Sequence, residues 1–357
     1  MIKLLIVDDS ALMRRQLMNL FQAEGDFEVR QARNGEEAVR ENRDFQPDVV
    51  TLDINMPEMD GLTALSLIMA ERPVAVVMVS SLTNEGALAT FEALNLGAVD
   101  YIAKPGGTIS LSIDRITEEL VAKVRGAARS RPRGKASVTV TAARRMQEER
   151  RKVARTSSAV SAPRSAGDGL LVVGASTGGP RALEIVLSGL PSSFPWPVLV
   201  AQHMPAAFTR AFAERLNQCC SLQVVEANSA QPIEAGKIYI ARGGADMVLA
   251  NRAGKLTVLP MPENAQFLWH PSVELLGRSV MEHYDPKRVT AVLLTGMGYD
   301  GSDAFAEIKK RGGRTIAESE ESAVVYGMPA ELVAKGGASL VLAVEKVAAQ
   351  LSTWAGR

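Results

Sequence analysis

The sequence predicts an α/β protein with two mainly parallel sheets on either side of a linker. Short apolar runs alternate with helical patterns in residues 1–122 and again in residues 169–357. The residues between them have a different composition, and polar side chains follow the ends of several runs. Strands that alternate with helices favour parallel sheets, and ligands bind at the carboxyl ends of such strands.

The first stretch, residues 1–122, contains five predicted strands. Each consists of a short apolar run, and helical patterns separate the runs. This alternation predicts a five-stranded parallel sheet with helices on both faces. The five runs are KLLIVDD, FEVRQAR, PDVVTLD, VAVVMVS and AVDYIAK.

Residues 123–168 have the composition of a flexible linker. Between residues 123 and 164 about a dozen lysines and arginines face only Glu148 and Glu149, and Ser, Ala, Pro and Gly supply much of the rest. Such a segment cannot bury enough apolar surface to fold by itself. It is either a solvated basic tether or a contact for an acidic partner or nucleic acid.

The alternation of strands and helices resumes in residues 169–357. Six apolar runs predict a second, doubly wound and mainly parallel sheet. No repeat period relates this part to the first, so the sequence predicts two different domains. The runs are LLVVGAS, PVLVAQH, KIYIARG, VTAVLLTGMG, GGRTIAES and ASLVLAV.

Composition sets limits on partners and compartment. Lys+Arg and Asp+Glu balance at 40 each, so net charge indicates no partner. The two cysteines, Cys219 and Cys220, are adjacent and predict no disulfide framework. The first apolar run is too short for a signal peptide, and no run approaches the ~20 residues of a membrane span. We therefore expect a cytoplasmic protein that is not inserted in a membrane.

Three carboxylates are predicted to meet at one edge of the first sheet. Asp8 and Asp9 end the first strand pattern, and Asp53 ends the third. Oxygen ligands of this kind suit Mg²⁺, and a carboxylate can attack phosphorus to form an aspartyl phosphate. Ser80 and Lys104 follow the fourth and fifth patterns and could contact phosphoryl oxygens. Each residue alone could be a helix cap, but the whole set favours a phosphorylation site centred on Asp53.

These residues resemble those of response-regulator receiver domains, which have a flavodoxin-like fold. The resemblance spans residues 1–122 and rests on the motifs VDDSALMR, LDINMPEMDG, MVSS and DYIAKP. It implies phosphorylation of Asp53 by a histidine kinase, with Mg²⁺ bound directly by Asp9 and Asp53. Asp8 would assist through water, and the Asn55 carbonyl would complete the protein ligands. Ser80 and Lys104 would be the switch residues.

In the second domain, GASTG at residues 174–178 matches the nucleophile-elbow pattern G-x-S-x-G. A strand pattern precedes Ser176 and a helical pattern follows it, with Pro180 at a position suited to a first helical turn. The same loop could present backbone N–H groups to a phosphate or be a structural turn. The loop alone leaves esterase, nucleotide binding and structural turn open.

A histidine and an aspartate decide between these alternatives. His203 follows the next strand pattern, so a parallel sheet would bring it to the edge that holds Ser176. His270 and His283 lie before and within a helical pattern, where ordinary half-exposed histidines are common. Asp300 follows VTAVLLTGMGY and could orient His203, while neighbouring glycines would let amides approach an oxyanion. A helix cap at Asp300 and a competing role for nearby Asp303 are the alternatives.

The order serine, histidine, aspartate differs from that of α/β-hydrolases. Residues 169 to about 350 instead resemble the catalytic domain of chemotaxis protein-glutamate methylesterases, the CheB family. The shared motifs are GASTGGP, AQHMP, AFT, FAERLN, LLTGMGYDG and the MP at residues 328 and 329.

This resemblance implies hydrolysis of glutamyl methyl esters on cytoplasmic helices of chemoreceptors, with glutamine deamidation as a possible second activity. Ser176 would be the nucleophile, His203 the base and then the acid, and Asp300 the orienting carboxylate. The Met297 N–H would lie in the oxyanion region and Thr177 beside the nucleophile. No cofactor is expected for the ester reaction.

The resemblance also implies regulation and partners. A chemotaxis-type histidine kinase would phosphorylate Asp53, and the unphosphorylated receiver would cover the Ser176 cleft. The substrate would be a methyl-accepting chemoreceptor, with peripheral association at receptor arrays and no nucleic acid partner.

Two features depart from the family pattern. The linker is longer and more basic than expected, and QFLWHPS at residues 266–272 stands where members typically have RHRPS. The second change suggests a dedicated receptor in a non-flagellar chemosensory pathway.

Two other classes of protein fit the sequence less well. A phosphorylation-controlled binding module with little catalysis would not need Ser176, His203 and Asp300 together. A DNA-binding response regulator would need a helix-turn-helix or winged-helix domain, whereas the second half predicts another α/β sheet.

Overall fold

The computed structural model describes residues 1–81, 83–104, 113–129 and 169–356. The chain divides into two compact units, one within residues 1–143 and the other within residues 144–357. Residues 130–168 of the predicted linker lie outside the described residues.

The first unit is a five-stranded parallel sheet in the order β2-β1-β3-β4-β5, as predicted. Its central strands are buried because helices lie between successive strands and cover both faces. The strands are β1 (Ile2–Val7), β2 (Phe27–Ala32), β3 (Val49–Asp53), β4 (Ala75–Ser80) and β5 (Asp100–Ala103), and the helices are α1 (Ala11–Ala23), α2 (Gly35–Asp44), α3 (Gly61–Glu71), α4 (Asn84–Leu96) and α5 (Ile113–Arg129).

Side-chain caps fix the starts of four of these helices. Ser10, Asn34, Asp60 and Thr83 each accept a backbone N–H from the first helical turn. A cap of this kind satisfies one of the N–H groups that have no partner inside a helix. Each of the helices α1 to α4 therefore begins directly after its capping residue.

Helix α5 corrects the predicted boundary at residue 122. The helix continues to Arg129, into the segment assigned to the linker. Val124 and Ala127 are fully buried in the core of the first sheet, together with Leu120 and Val121. The basic composition of this stretch concealed its two apolar positions, which lie three residues apart on one helix face.

The second unit contains a seven-stranded sheet in the order β15-β14-β13-β6-β7-β10-β8. All its pairings are parallel. The six predicted strands are present, and β8 was missed by the sequence pattern. The strands are β6 (Leu170–Ala175), β7 (Val198–Gln202), β8 (Gln223–Ala227), β10 (Lys237–Ala241), β13 (Val289–Leu293), β14 (Arg314–Glu318) and β15 (Leu340–Leu342).

A separate three-stranded antiparallel sheet, in the order β11-β12-β9, was also not predicted. Its hairpin turns at Ala253 and Gly254, which both have positive φ. Two consecutive positive φ angles are typical of hairpin turns, but alanine rarely occupies them, so the turn had a weak sequence pattern. The strands are β9 (Gln231–Pro232), β11 (Asp246–Arg252) and β12 (Lys255–Met261).

Helices lie between many of the strands of the second unit. Among the described residues, none of the helices combines the length and apolar character needed to cross a bilayer. The helices are α6 (Gly179–Ser188), α7 (Ala206–Cys219), α8 (Val273–His283), α9 (Ser302–Lys310), α10 (Met328–Ala334) and α11 (Val344–Ala355), with one 3₁₀ turn at Pro286–Arg288.

The centre of the seven-stranded sheet is the point at which its connections change direction. From β6 the chain continues to β7 on one side, and later returns to β13 on the other side of β6. Such a switch point leaves a crevice outside the carboxyl ends of the strands, where ligands bind in open α/β sheets. The loops that follow β6, β7 and β13 meet there.

Candidate functional site

Ser176 lies on a sharp turn between β6 and α6. Its N–H donates to the Thr295 carbonyl (3.0 Å), which ties the turn to the loop after β13. Gly178 has a φ of 74°, and a Cβ at this position would lie 2.6 Å from Val324. Pro180 occupies the first turn of α6, where its missing N–H costs nothing. The structure thus has the strand, turn and helix that an elbow requires.

His203 and Asp300 are brought together at the same edge, as predicted. His203 Nε2 lies 2.8 Å from Asp300 Oδ2. An ionised carboxylate only accepts hydrogen bonds, so the proton of the neutral ring sits on Nε2 and Nδ1 is the acceptor nitrogen. Nδ1 is buried and has no hydrogen-bond partner among the described residues. It is therefore the nitrogen left to accept a proton.

Asp300 is buried at the N-terminus of α8. Besides His203, it accepts hydrogen bonds from Val273 N (2.7 Å), Glu274 N (3.0 Å) and Ser272 Oγ (3.1 Å). Burial raises the pKa of Asp300, but the hydrogen bond and charge of His203 and the two backbone donors outweigh it and hold the pKa below its ordinary value. Asp300 does not cap the helix that follows it, since Gly301 is the N-cap of α9.

Gln202 connects the backbones of the serine and histidine loops. Its buried Nε2 donates to the carbonyl of Ser176 (2.9 Å) and to that of His203 (3.0 Å). The His203 N–H in turn donates to the Ala175 carbonyl (3.1 Å). No hydrogen bond joins Ser176 Oγ to His203 in the described residues, and such catalytic contacts often tighten only with substrate bound.

The predicted oxyanion region is a tight loop after β13. The Gly296 carbonyl accepts from Gly327 N (3.1 Å) and Met328 N (2.8 Å), which fixes the peptide that leads to Met297. A Cβ on Gly296 would lie 2.7 Å from the Cβ of Ser176, so this position needs glycine. Among the described residues, no acceptor is found for the Met297 N–H. Thr177 is buried next to the nucleophile, and its carbonyl accepts from Thr295 Oγ1 (2.9 Å).

The segment before α8 forms one wall of this cleft. Buried Asp246 accepts from His270 Nδ1 (2.9 Å), Ser272 N (2.7 Å) and Asn264 N (2.9 Å). The ring of Trp269 lies parallel to that of His203, with centroids 6.0 Å apart. His270, which was predicted to be an ordinary half-exposed histidine, is partly buried and pairs with this carboxylate.

The other two candidates have surface roles. The carboxylate of Asp303 is 60% exposed and pairs with Lys335 at 2.6 Å, so it does not compete with Asp300. His283 is exposed in the last turn of α8, as expected for an ordinary surface histidine.

In the first unit, carboxylate oxygens of Asp8, Asp9 and Asp53 lie within 4.8 Å of one another. Lys104 Nζ contacts Asp53 Oδ2 (2.7 Å) and Asp8 Oδ2 (3.0 Å). Three carboxylates and one ammonium leave an excess of negative charge that a divalent cation with oxygen ligands fits. Asn55 directly follows this strand end, and its N–H contacts Asp53 Oδ1 (3.4 Å).

The protonation equilibria of this cluster reflect its burial. Burial raises the pKa of Asp53, and the charge of Asp8 adds to this although Lys104 opposes both. Burial lowers the pKa of Lys104, but its ion pairs with Asp53 and Asp8 outweigh this and raise the pKa above its ordinary value. Ser80 is buried, with its hydroxyl donating to the Gly86 carbonyl (3.1 Å). Pro105, which follows Lys104 in the predicted motif, lies outside the described residues.

Fold and site together define a two-domain response regulator whose second domain is an esterase. The CheB methylesterase family matches residues 171–351, and the response regulator receiver domain matches residues 4–113. The chain belongs to the CheB methylesterase family.

Relatives with assigned names match the whole chain. A protein-glutamate methylesterase/protein-glutamine glutaminase of Rhodospirillum rubrum is 54% identical, over 100% of this chain and 97% of that protein. One of Rhodopseudomonas palustris is 52% identical, over 99% and 98%. The crystal structure of the Thermotoga maritima CheB methylesterase catalytic domain matches with a TM-score of 0.50 and 36% identity, over 52% of this chain and 98% of that chain.

The sequence patterns located Ser176, His203 and Asp300 but missed the side chains that hydrogen-bond around them. Gln202 precedes His203 in the AQH pattern, yet a buried amide that bridges two carbonyls has no periodicity to reveal it. Asp246 begins a strand of the unpredicted antiparallel sheet, so nothing indicated that it would reach His270.

Proposed function

We propose that this protein is a phosphorylation-activated serine esterase that hydrolyses glutamyl methyl esters on the cytoplasmic helices of a methyl-accepting chemoreceptor. The observation that supports this best is the 2.8 Å contact of His203 with Asp300 at the switch point that also holds the Ser176 elbow. Membership of the CheB methylesterase family supports the same activity.

In the first half-reaction, Ser176 Oγ attacks the ester carbonyl while His203 Nδ1 accepts the hydroxyl proton. Asp300 stabilises the imidazolium through Nε2 and keeps the ring in place. The Met297 N–H, with Thr177 beside the nucleophile, faces the developing oxyanion. The C–O bond to methoxide then breaks, His203 returns the proton, and methanol leaves a glutamyl ester on Ser176.

In the second half-reaction, water replaces methanol. His203 accepts a proton from the water as it attacks the acyl carbonyl, and then returns that proton to Ser176 Oγ. The products are a free glutamate side chain and the restored hydroxyl. For a glutamine side chain the same steps release ammonia instead of methanol. We propose this deamidation as a second activity, because the relatives' names include protein-glutamine glutaminase.

The receiver site supplies the control. We propose that a chemotaxis-type histidine kinase donates a phosphoryl group to Asp53. Asp9 and Asp53 would hold Mg²⁺ directly, with the Asn55 carbonyl, and Asp8 would assist through water. The cation would neutralise phosphoryl charge when bound. Lys104 lies beside Asp53 already, and Ser80 ends the neighbouring strand, so both can respond to a new phosphate.

This function places the protein on the cytoplasmic side of the membrane, where it would associate peripherally with receptor arrays. The kinase and the receptor helices that it needs are both in that compartment.

The test of the proposed activity is release of methanol from receptor membranes whose glutamates carry labelled methyl groups. Replacing Ser176 with alanine is expected to reduce release at least roughly a thousand-fold, because no other hydroxyl takes over the attack. The matched control is Ser352→Ala, whose hydroxyl donates to the Ala348 carbonyl within α11. Wild-type release by Ser176→Ala would rule out the nucleophile assignment.

A further inference from the structure

The rings of Trp269 and Tyr299 lie beside the cleft, and exposed Leu268 precedes Trp269 in the chain. Leu268 is 73% exposed and Tyr299 is 50% exposed, although both are large apolar side chains. The rings of Trp269 and Tyr299 meet edge to face, with centroids 5.1 Å apart. We refer to these three side chains as the aromatic wall.

The aromatic wall lies directly beside the catalytic base. The Trp269 ring is within 7° of parallel to the His203 ring. Gly298 makes this position possible, because a Cβ on Gly298 would lie 2.7 Å from the Trp269 ring. Trp269 thus lies against one face of the His203 ring, with ring centroids 6.0 Å apart.

The chain segment that carries Trp269 is anchored by the buried carboxylate of Asp246. Asp246 is 1% exposed and accepts hydrogen bonds on both sides of Trp269, from Asn264 N and from Ser272 N. His270 also pairs with Asp246, so its ring is not an unpaired group on this surface. Because Asp246 binds backbone N–H groups on both sides of Trp269, the backbone that carries Trp269 is constrained.

The segment itself carries little charge, although the Arg278 guanidinium lies over the Phe267 ring, 5.6 Å from its centroid. Between Gln266 and Ser272 the one ionisable side chain is His270, and it faces Asp246. The segment therefore offers mainly apolar and aromatic groups to a substrate. A wall of this chemistry gains binding energy from apolar contacts and not from acidic side chains.

We propose that Trp269 is the specificity-determining residue of this esterase, and that it selects a methylated glutamate flanked on its helix by an apolar side chain. This inference rests on the proposed esterase function. The flanking side chain would sit one helical turn from the ester, because residues four apart share a helix face. It would pack on Trp269, Leu268 and Tyr299 while the ester reaches Ser176.

The test compares two helical peptides that each carry one glutamyl γ-methyl ester. One has leucine four residues after the ester and the other has glutamine, so size is similar and charge is unchanged. A small glutamate γ-methyl ester without a flanking residue is the third substrate. The measured quantity is kcat/KM for methanol release by the full-length protein.

Wild type is expected to favour the leucine peptide about ten-fold, in the range that apolar contacts in a pocket provide. Trp269→Ala should bring the two peptides within about two-fold of each other, and Trp269→Phe should retain part of the preference. Leu268→Ser removes an exposed apolar group without touching packed atoms, and should also reduce the preference. Trp354→Ala is the matched control, since Trp354 lies on α11 and contacts Arg314.

The outcomes separate this inference from the activity on which it rests. Equal hydrolysis of both peptides by wild type, or an unchanged ten-fold preference in Trp269→Ala and Leu268→Ser, would overturn the specificity role alone. Failure of wild type to hydrolyse any of the three esters would overturn the esterase function as well. Loss of the preference in both variants, with the preference retained in Trp354→Ala, would establish it.

Discussion

The Asp300 carboxylate contacts both the His203 ring and the first backbone N–H groups of α8. One of its oxygens contacts His203, while both oxygens accept N–H groups at the start of α8. The helix supplies donors and a positive dipole end that keep the carboxylate ionised, and the carboxylate in turn satisfies N–H groups that the helix cannot. The orientation of the base and the start of α8 thus depend on the same side chain.

We expect Asp300→Asn to reduce kcat for ester hydrolysis by roughly 10³ to 10⁴-fold, with KM changed little. The asparagine NH₂ group would face either His203 Nε2–H or a helix N–H, so the favourable ring tautomer is lost. Steady-state methanol release measures the effect. Asp303→Asn is the control, since its exposed carboxylate pairs with Lys335, and a loss of equal size there would contradict the assignment.

The same side chain predicts a dependence of stability on acid. Because the pKa of Asp300 is lower in the folded protein than in the unfolded chain, its ionised form stabilises the fold above the unfolded pKa. This contribution is lost as pH falls below the ordinary aspartate pKa and through the folded value. Urea midpoints measured on moving from pH 6 to pH 3 should therefore fall more steeply in wild type than in Asp300→Asn. Parallel curves would contradict this.

For single residues, the sequence predicted where the site residues lie but not which side chains support them. Ser176, His203 and Asp300 each follow a strand pattern, and parallel strands end at one edge, so their meeting could be foreseen. The roles assigned to Thr177 and Met297 remain predictions. The contacts of Gln202, Trp269 and Asp246 could not be foreseen, because they depend on side-chain directions across loops that have no period.

At the scale of single elements, α5 shows how composition can mislead. Its last two turns include Lys123, Arg125 and Arg129, which gave this stretch the appearance of a linker. Arg125 nonetheless pairs with Asp26 (2.8 Å) and Lys123 contacts the Tyr101 carbonyl (3.0 Å), so the charges lie on the outer side of a packed helix. Long charged side chains often cover apolar surface in this way.

We expect Val124→Ala to destabilise the first unit by about 2 kcal/mol, because it removes fully buried methyl groups and leaves a cavity. The unfolding transition of the receiver in the full-length protein, followed by heat or urea, measures this. In the same unit, Leu12→Ala removes a side chain that is 67% exposed and should change stability by less than about 0.5 kcal/mol. A Val124 effect no larger than that of Leu12 would mean that α5 does not pack as described.

The whole molecule combines two parallel sheets with separate chemistry. Both were predicted from the alternation of strands and helices, since that alternation follows from covering two faces of a sheet. The antiparallel sheet of β9, β11 and β12 was not predicted, because its strands are short or mixed in character and its turn lacks a typical turn pair. Residues 130–168 of the predicted linker, which was assigned to residues 123–168, lie outside the described part of the chain.

Coupling between the units gives a prediction for the intact protein. Asp53→Ala should retain basal methanol release but lose stimulation by acetyl phosphate and Mg²⁺, because the phosphoacceptor is gone. The ratio of release with and without the phosphodonor is the measurement. Asp44→Ala, an exposed aspartate at the end of α2, should keep full stimulation. Undiminished stimulation in Asp53→Ala would show that control does not pass through this residue.

The central position of β6 also has a practical use. Ser176 and His203 precede the loop that ends at α8, whereas Asp300 follows it, and the two portions meet along the seam of β6 with β13 and through the packing of α8 on β11. A chain divided in the loop after β12 would separate the nucleophile and base from their carboxylate. Two such fragments, each fused to one of a pair of interacting proteins, would regain esterase turnover when the seam re-forms, so the domain offers a scaffold for a split-enzyme reporter.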